Sequence, residues 1–301
     1  MLSHIWSRIR PLTAQQRFLF VAGAILLASA LIHGGIAVGA LISGQEWSGP
    51  ISWRKPVVFG VSFGMLSITA AWVLRLLPST RWGWIPTIML GAFSVIEVTA
   101  ITLQKWRGVP SHFNTATPFD VAVFGTMATS VQLVVVALVI LLIWVALKFR
   151  GNKGERLAVI VGLLSLLAAG YIGSQMIQVG EAHYAATGSV PYEVVFGADG
   201  SAKLSHFVGM HLVQFLAVIA IIAPARRRLA LVAIGAIGGL AVFASVSVTA
   251  ASGSPWLAPD PGVGALGILG AVTALVALIS AVRTFTPRHV TPESQTPAPV
   301  G

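Results

Sequence analysis

The chain alternates between long apolar stretches and short polar segments. Eight of the stretches approach or exceed the length of about 20 residues that a helix needs to cross a hydrocarbon core. They cover residues 18–42, 57–77, 84–104, 120–147, 157–179, 206–224, 229–250 and 263–283. This pattern predicts an all-α protein, a polytopic transmembrane helical bundle of about eight spans.

The composition narrows the class further. Hydrophobic residues make up 56% of the 301 residues and charged residues only 9%, whereas soluble domains carry about 25% charged residues. This composition therefore argues against three classes of protein: a soluble globular protein, a disordered chain and a nucleic-acid-binding protein. Because the chain has no cysteine, disulfides, thiolate metal sites and cysteine nucleophiles are excluded as well.

The basic residues predict how the spans are oriented. If the N-terminus is cytoplasmic, 14 of the 19 Lys and Arg residues fall on the inner side, as the positive-inside rule requires. We therefore predict that both termini are cytoplasmic. A basic segment would cover residues 1–17, the bundle residues 18–285 and a disordered tail residues 286–301. The net charge of +10 is then an anchor against anionic membrane lipid and not a nucleic-acid surface.

Polar residues inside the spans are the informative ones, because a charge at the bilayer centre costs about 2.5–3.5 kcal/mol on insertion scales. Four spans carry such residues, and in each they fall in the outer half. They are His33 in the first span, Glu97 in the third, Tyr171, Gln175 and Gln178 on one face of the fifth, and His211 and Gln214 in the sixth. Their shared depth predicts a polar, water-accessible pocket that opens outward.

The outer loops add side chains suited to catalysis and head-group binding. Two or three histidines with a carboxylate form the usual ligand set of a catalytic zinc. We expect His112, His206 and His211 to be the metal ligands, with His33 as a further candidate. His206 and His211 are five residues apart and would share a metal only if His206 precedes the helix. The candidate catalytic groups are Glu97, Asp120 and Ser111. The candidate substrate-binding groups are Arg54, Lys55, Arg107 and Asn114 of the loops and Tyr171, Gln175, Gln178 and Gln214 of the spans.

Two other function classes remain open. His33 and His211 lie deep in their spans and are candidates for axial haem ligands of an electron-transfer protein. Glu97 is a candidate proton or cation site of a carrier, with Tyr171, Gln175 and Gln178 lining the pathway. The cofactor is therefore undecided, with zinc favoured over haem.

Three segments resemble those of known membrane proteins. Residues 51–56 (ISWRKP), residues 107–120 and residues 206–211 (HFVGMH) resemble a bacterial family of uncharacterised polytopic membrane proteins. The resemblance covers most of the membrane region and implies a multi-pass protein of the bacterial inner membrane, but no activity. Ser111, His112 and Asp120 followed by a later histidine pair also resemble the zinc-dependent alkaline ceramidases and adiponectin receptors. That superfamily has seven spans and a different histidine spacing.

The leading hypothesis is therefore a metal-dependent, hydrolase-like membrane enzyme that acts on a lipid-like or small amphiphilic substrate. Whether the protein is an enzyme at all stays open alongside the carrier and haem alternatives. The expected partners are membrane lipids.

Overall fold

A computed structural model describes residues 12–285, and within this range the fold is all-α with no strand. Eight helices are long and apolar enough to span a membrane, which confirms the predicted fold class. They are α1 (Ala14–Ile42), α2 (Arg54–Arg75), α3 (Trp84–Trp106), α4 (Pro118–Lys148), α5 (Lys153–Thr187), α6 (Ala202–Ile222), α7 (Arg228–Ala251) and α8 (Pro261–Phe285). The predicted tail at 286–301 and most of the basic segment at 1–17 lie outside the described residues.

The helix ends differ from the predicted spans where local capping decides them. The first helix begins at Ala14, inside the predicted basic segment, because Thr13 and Gln16 form a reciprocal capping box. The fifth helix continues to Thr187 and stops at Gly188, which adopts a left-handed conformation with φ of 68°. Hydropathy alone indicates neither of these ends, because both extend beyond the apolar stretch.

Consecutive helices pack as antiparallel pairs, α1 with α2, α3 with α4, α5 with α6 and α7 with α8. The second helix also contacts α3 and α6, and the fifth contacts α4 and α7. One core cluster lies mainly among α2, α4 and α5, around Leu141 and Trp144, and a second lies among α5, α6 and α7, around Leu216. Most of α8's contacts are with α7, so it lies at the edge of the bundle.

Glycine pairs allow some of these helices to approach closely. Ala30 of α1 fills the space beside Gly60, where an added Cβ would lie 2.9 Å from the Ala30 Cβ. Gly64 meets α1 in the same way, so this G-x-x-x-G pair brings α2 close to α1. Gly35 and Gly39 have the same spacing, but nothing lies within 4 Å of an added Cβ at either position.

Tryptophans mark both ends of α3. Trp84 and Trp106 are separated by about 33 Å along the helix axis, close to the thickness of about 30 Å of a hydrocarbon core. Tryptophan is enriched at membrane–water interfaces, so α3 has the length and the ends of a single membrane span. The end of the bundle that holds residues 43–53, 107–117, 188–201 and 252–260 is called the Ser111 end below.

Candidate functional site

A short polar chain at the Ser111 end joins the beginning of α2 to the loop before α4. Lys55 Nζ donates a hydrogen bond to Ser111 Oγ over 3.4 Å. Ser111 Oγ in turn lies 2.9 Å from His112 Nδ1. Lys55 and Ser111 line a crevice together with Ile101 and Lys105 of α3; Ser111 is 2% exposed, and the crevice is too narrow to admit a water molecule. A serine hydroxyl held between an amine and an imidazole is the kind of arrangement that activates nucleophiles.

The imidazole of His112 lies among aromatic rings. The ring centroids of Phe59, Phe113 and Phe124 are 5.9, 6.1 and 6.2 Å from that of His112. This burial, together with the nearby charge of Lys55, lowers the pKa of His112 from 6.5 to about 3. At neutral pH the imidazole therefore carries one N–H donor and one acceptor nitrogen and no charge.

The loop that carries Ser111 and His112 has a constrained backbone. Phe113 has a φ of 62° and is the only residue other than glycine with a positive φ in the described part of the chain. Such a conformation costs on the order of 1–3 kcal/mol and persists only where packing enforces it. The Phe113 ring lies against Gly180 of α5, where an added Cβ would overlap it. Asn114 Nδ2 also donates to the Pro110 carbonyl at 3.3 Å.

A buried carboxylate holds the two ends of the same loop together. Asp120 Oδ1 accepts from Gln104 at 2.9 Å and from Arg107 at 2.6 Å, while Oδ2 accepts from the Thr117 hydroxyl at 2.6 Å. The Thr117 side chain also caps α4 by accepting from the Asp120 backbone N–H. Asp120 and Arg107 thus use their charges on each other and on the loop ends, whereas we expected a catalytic carboxylate and a head-group anchor.

Three cations gather where α2 and α6 begin. Arg54 and Lys55 are the first two residues of α2, Lys203 is the second residue of α6, and both lysines lie within electrostatic reach of Arg54. Neither helix has a side-chain cap or an acidic residue in its first turn, so these charges add to the positive ends of the helix dipoles. Glu193 pairs with Lys203 at 2.6 Å. Arg54 Nε is buried and has no acceptor among the described residues.

The histidines do not come together among the described residues, so the structure gives no support to the predicted metal site. Within residues 12–285, no three His, Cys, Asp or Glu side chains are placed to hold a metal ion. Because α6 begins at Ala202, His206 and His211 both lie on the helix and point about 140° apart. His206 Nδ1 lies 2.7 Å from the Ala169 carbonyl of α5, and His211 Nε2 lies 3.2 Å from the Ser62 hydroxyl of α2.

His33 occupies a separate aromatic cluster. Trp106 Nε1 donates to His33 Nε2 at 3.1 Å, and His33 Nδ1 lies 2.8 Å from the Ser29 carbonyl. Trp53 stacks on the His33 ring at a centroid distance of 5.9 Å, and Lys105 Nζ lies 4.5 Å from the Trp53 ring centroid. With both ring nitrogens engaged, His33 offers no free nitrogen for zinc or haem.

The remaining predicted residues lie in different surroundings. Glu97 is 1% exposed, and its Oε2 has no hydrogen-bond partner within the described range. Tyr171, by contrast, is 68% exposed on the surface of α5, where Gln175 is half-buried and Gln178 is exposed. The Gln214 amide can donate to carbonyls of its own helix at 3.1 and 3.2 Å. The structure therefore does not gather the polar residues of four spans into one pocket.

The sequence reasoning missed Lys203 as a site residue and did not connect Lys55 with Ser111 specifically. Trp53 before α2 cannot cap a helix, but Ser201 before α6 is a residue type that usually does, so the sequence did not indicate that both helix beginnings are uncapped. Comparison with protein-family models, with curated proteins and with solved structures finds no match for this chain.

Proposed function

We propose that this integral membrane protein is a serine-dependent hydrolase that cleaves an acyl ester of an anionic, lipid-like substrate. One observation carries the proposal: Ser111 Oγ lies 3.4 Å from Lys55 Nζ and 2.9 Å from His112 Nδ1. The proposal keeps the hydrolase-like activity and the lipid-like substrate expected from the sequence. It replaces metal-activated water by a side-chain nucleophile.

In this mechanism Lys55, as the neutral amine, is the base. The Ser111 hydroxyl gives its proton to Lys55 Nζ while Oγ attacks the acyl carbonyl carbon, and the ester's alcohol leaves with that proton. Water then hydrolyses the acyl-serine by the same route, which releases the acid and restores the serine. His112 is a positioning residue, because its neutral Nδ1–H can donate to Oγ and direct the remaining lone pair toward the substrate.

The substrate class follows from the charges around Ser111. Arg54 has a buried N–H without an acceptor, and the uncapped beginnings of α2 and α6 add unsatisfied backbone donors. Helix beginnings that also carry cations favour a phosphate or carboxylate ligand. A substrate that reaches this site from the membrane must also carry an apolar part, so the favoured substrate is an anionic amphiphile.

A fluorophosphonate probe tests the nucleophile without knowledge of the substrate. The Ser111 oxygen would displace fluoride from phosphorus, and the Ser111→Ala variant should abolish the labelling. Ser52→Ala is the matched control, because Ser52 lines the same crevice but donates only to the Gly49 carbonyl. Labelling that is equal in wild type and Ser111→Ala would refute the proposal.

The pH profile of the same reaction identifies the base. If Lys55 is the base, the labelling rate rises with pH as the amine loses its proton. If His112 is the base, the rate is flat above about pH 5, because the pKa of His112 is about 3. Lys55→Met should abolish the rise, whereas Lys105→Met, which changes another amine of the same crevice, should keep it.

A second candidate function rests on Glu97. The carboxylate is buried in α3, and both its Oε2 and the Ser94 Oγ one turn earlier lack partners within the described range. A proton-coupled carrier would use such a group as its proton site. Proteoliposome assays of substrate-driven proton movement, comparing wild type with Glu97→Gln, test this candidate, and equal movement in both would exclude it.

A further inference from the structure

A groove runs along the outside of α3, on the face next to the one that lines the crevice at Ser111. It has a volume of about 400 Å³ and lies between α1 and α3. Its walls are Ile25, Leu26 and Ser29 of α1 and a strip of α3 from Val95 to Trp106. Because Ile25 is 55% exposed and Trp106 is 61% exposed, the groove is open at the surface of the bundle. In a membrane, that surface faces lipid.

The dimensions of the groove match one leaflet. The strip from Val95 to Trp106 is about 16 Å long, and half of a hydrocarbon core is about 15 Å thick. The groove begins at Trp106, which lies at the level of Trp53 and Lys105, where a membrane–water interface is expected. It therefore extends from the interface toward the middle of the membrane, as an acyl chain does.

A threonine on the wall of the groove has an unpaired hydroxyl. Thr102 lines this groove, and its Oγ1, which protein atoms cover in this side-chain rotamer, has no hydrogen-bond partner within residues 12–285. A threonine hydroxyl on a helix commonly donates to the carbonyl four residues earlier, as Thr126 and Thr129 of α4 do. A change of the Thr102 χ1 rotamer would turn this hydroxyl toward the groove. There the ester carbonyl of a lipid, which lies at the top of its acyl chain, would supply the missing acceptor.

The groove and the crevice lie on adjacent faces of the same turn of α3. Ile101 and Lys105 line the crevice, whereas Thr102 and Trp106 line the groove, about 100° further around the helix. Trp53 joins the two, because it contacts both Trp106, at a ring-centroid distance of 5.1 Å, and Lys105. A molecule with its tail in the groove thus has its polar end beside Lys55 and Ser111.

We infer that the groove between α1 and α3 binds one acyl chain of an anionic membrane phospholipid, and that this lipid is the substrate. The identification as substrate rests on the proposed function, whereas the binding of the chain does not. Thr102 donates to the lipid's ester carbonyl, and Trp106 covers the top of the chain.

The test uses the full chain in the Ser111→Ala background, so that bound lipid is not consumed. Delipidated protein is titrated with one-chain lysophosphatidylglycerol, and binding is measured by native mass spectrometry. Thr99→Trp places a large ring in the groove and should weaken binding at least tenfold. Thr129→Trp is the matched control, because it adds the same ring at an exposed threonine of α4. Equal binding by the two variants overturns the inference.

A milder variant covers the case in which Thr99→Trp does not fold. Thr102→Val keeps the shape and removes the hydroxyl, and it should weaken binding about threefold to tenfold, the effect of one lost hydrogen bond. Unchanged affinity in Thr102→Val overturns the hydrogen bond to the ester. If Thr99→Trp alters the oligomeric state and leaves lipid binding intact, a second copy of the chain fills the groove and the inference falls.

The two proposals fail in different ways. Loss of binding in Thr99→Trp, combined with fluorophosphonate labelling that does not depend on Ser111, leaves the lipid site and removes the enzyme. Labelling that depends on Ser111, combined with equal binding by Thr99→Trp and Thr129→Trp, leaves the enzyme and removes the groove.

Discussion

Replacing Gly180 by alanine should displace the loop that carries Ser111. Gly180 lies on α5 directly against the ring of Phe113, and an added Cβ would overlap three atoms of that ring. The ring has little room to move, because Phe113 is 8% exposed and its ring also contacts that of Phe124 at a centroid distance of 5.9 Å. The strain therefore passes to a backbone that already holds a positive φ at Phe113.

The size of the effect follows from two opposing contributions. Glycine to alanine within a helix stabilises by about 0.5–1 kcal/mol, whereas an extra methyl group in a packed site costs about 1–3 kcal/mol. Gly170 of the same helix isolates the first contribution, because the nearest atom to an added Cβ there is 3.9 Å away. We expect Gly170→Ala to be neutral or stabilising and Gly180→Ala to be about 1–3 kcal/mol less stable than Gly170→Ala.

Thermal unfolding of the purified chain in detergent measures this order, and fluorophosphonate labelling reports the position of Ser111. Phe113→Ala removes the ring, so the penalty of Gly180→Ala should disappear in the double variant, with a coupling energy of about 0.5–3 kcal/mol. Equal midpoints for Gly180→Ala and Gly170→Ala, with unchanged labelling of Ser111, would refute the packing argument.

Three further predictions address pH, the aromatic cluster and topology. The pKa of His112 is about 3 in the folded chain against an ordinary value of 6.5, so the unfolded chain takes up this proton first as the pH falls. The free energy of unfolding should therefore decrease below about pH 6.5, by at most about 1.4 kcal/mol per pH unit. His112→Asn should remove that part of the slope when unfolding is measured as a function of pH. Trp106→Phe deletes the N–H that His33 accepts and should cost about 1 kcal/mol, and a thermal midpoint like that of wild type would contradict this role. In this cysteine-free chain, single cysteines at Thr115 and Asn152 should label from opposite sides of intact membranes, Thr115 from outside, and labelling from the same side would exclude the predicted topology.

Apolar length was enough to predict the bundle, because a stretch of about 20 residues without charge has few alternatives to a membrane span. The hydrogen-bond partners of the histidines could not be predicted in the same way. They depend on where each helix begins and on which neighbouring helix its faces meet, and hydropathy indicates neither. His206 lies beside α5 and His211 beside α2 only because α6 begins at Ala202, several residues before the apolar stretch. The positive φ of Phe113 was equally hidden, since a contact with Gly180, 67 residues away in sequence, holds it in place.

The buried polar atoms separate into two groups that matter differently for function. Asp120 and His33 have their polar atoms paired by neighbouring residues, so they need nothing from outside. Five buried atoms have no partner within the described residues, and each costs about 1–3 kcal/mol; they are Arg54 Nε, Ser67 Oγ, Ser94 Oγ, Glu97 Oε2 and Thr102 Oγ1.

Two of the five atoms belong to residues near the candidate sites, Arg54 at the beginning of α2 next to Lys55 and Thr102 on the wall of the groove, one turn before the end of α3. A ligand that paired with both would remove a cost that is sizeable against the 5–15 kcal/mol by which proteins are usually stable. A phospholipid carries an ester carbonyl at the top of its chain and a phosphate beyond its glycerol, so a single lipid can supply both acceptors. The same molecule would then place an acyl ester near Ser111, as the proposed hydrolysis requires.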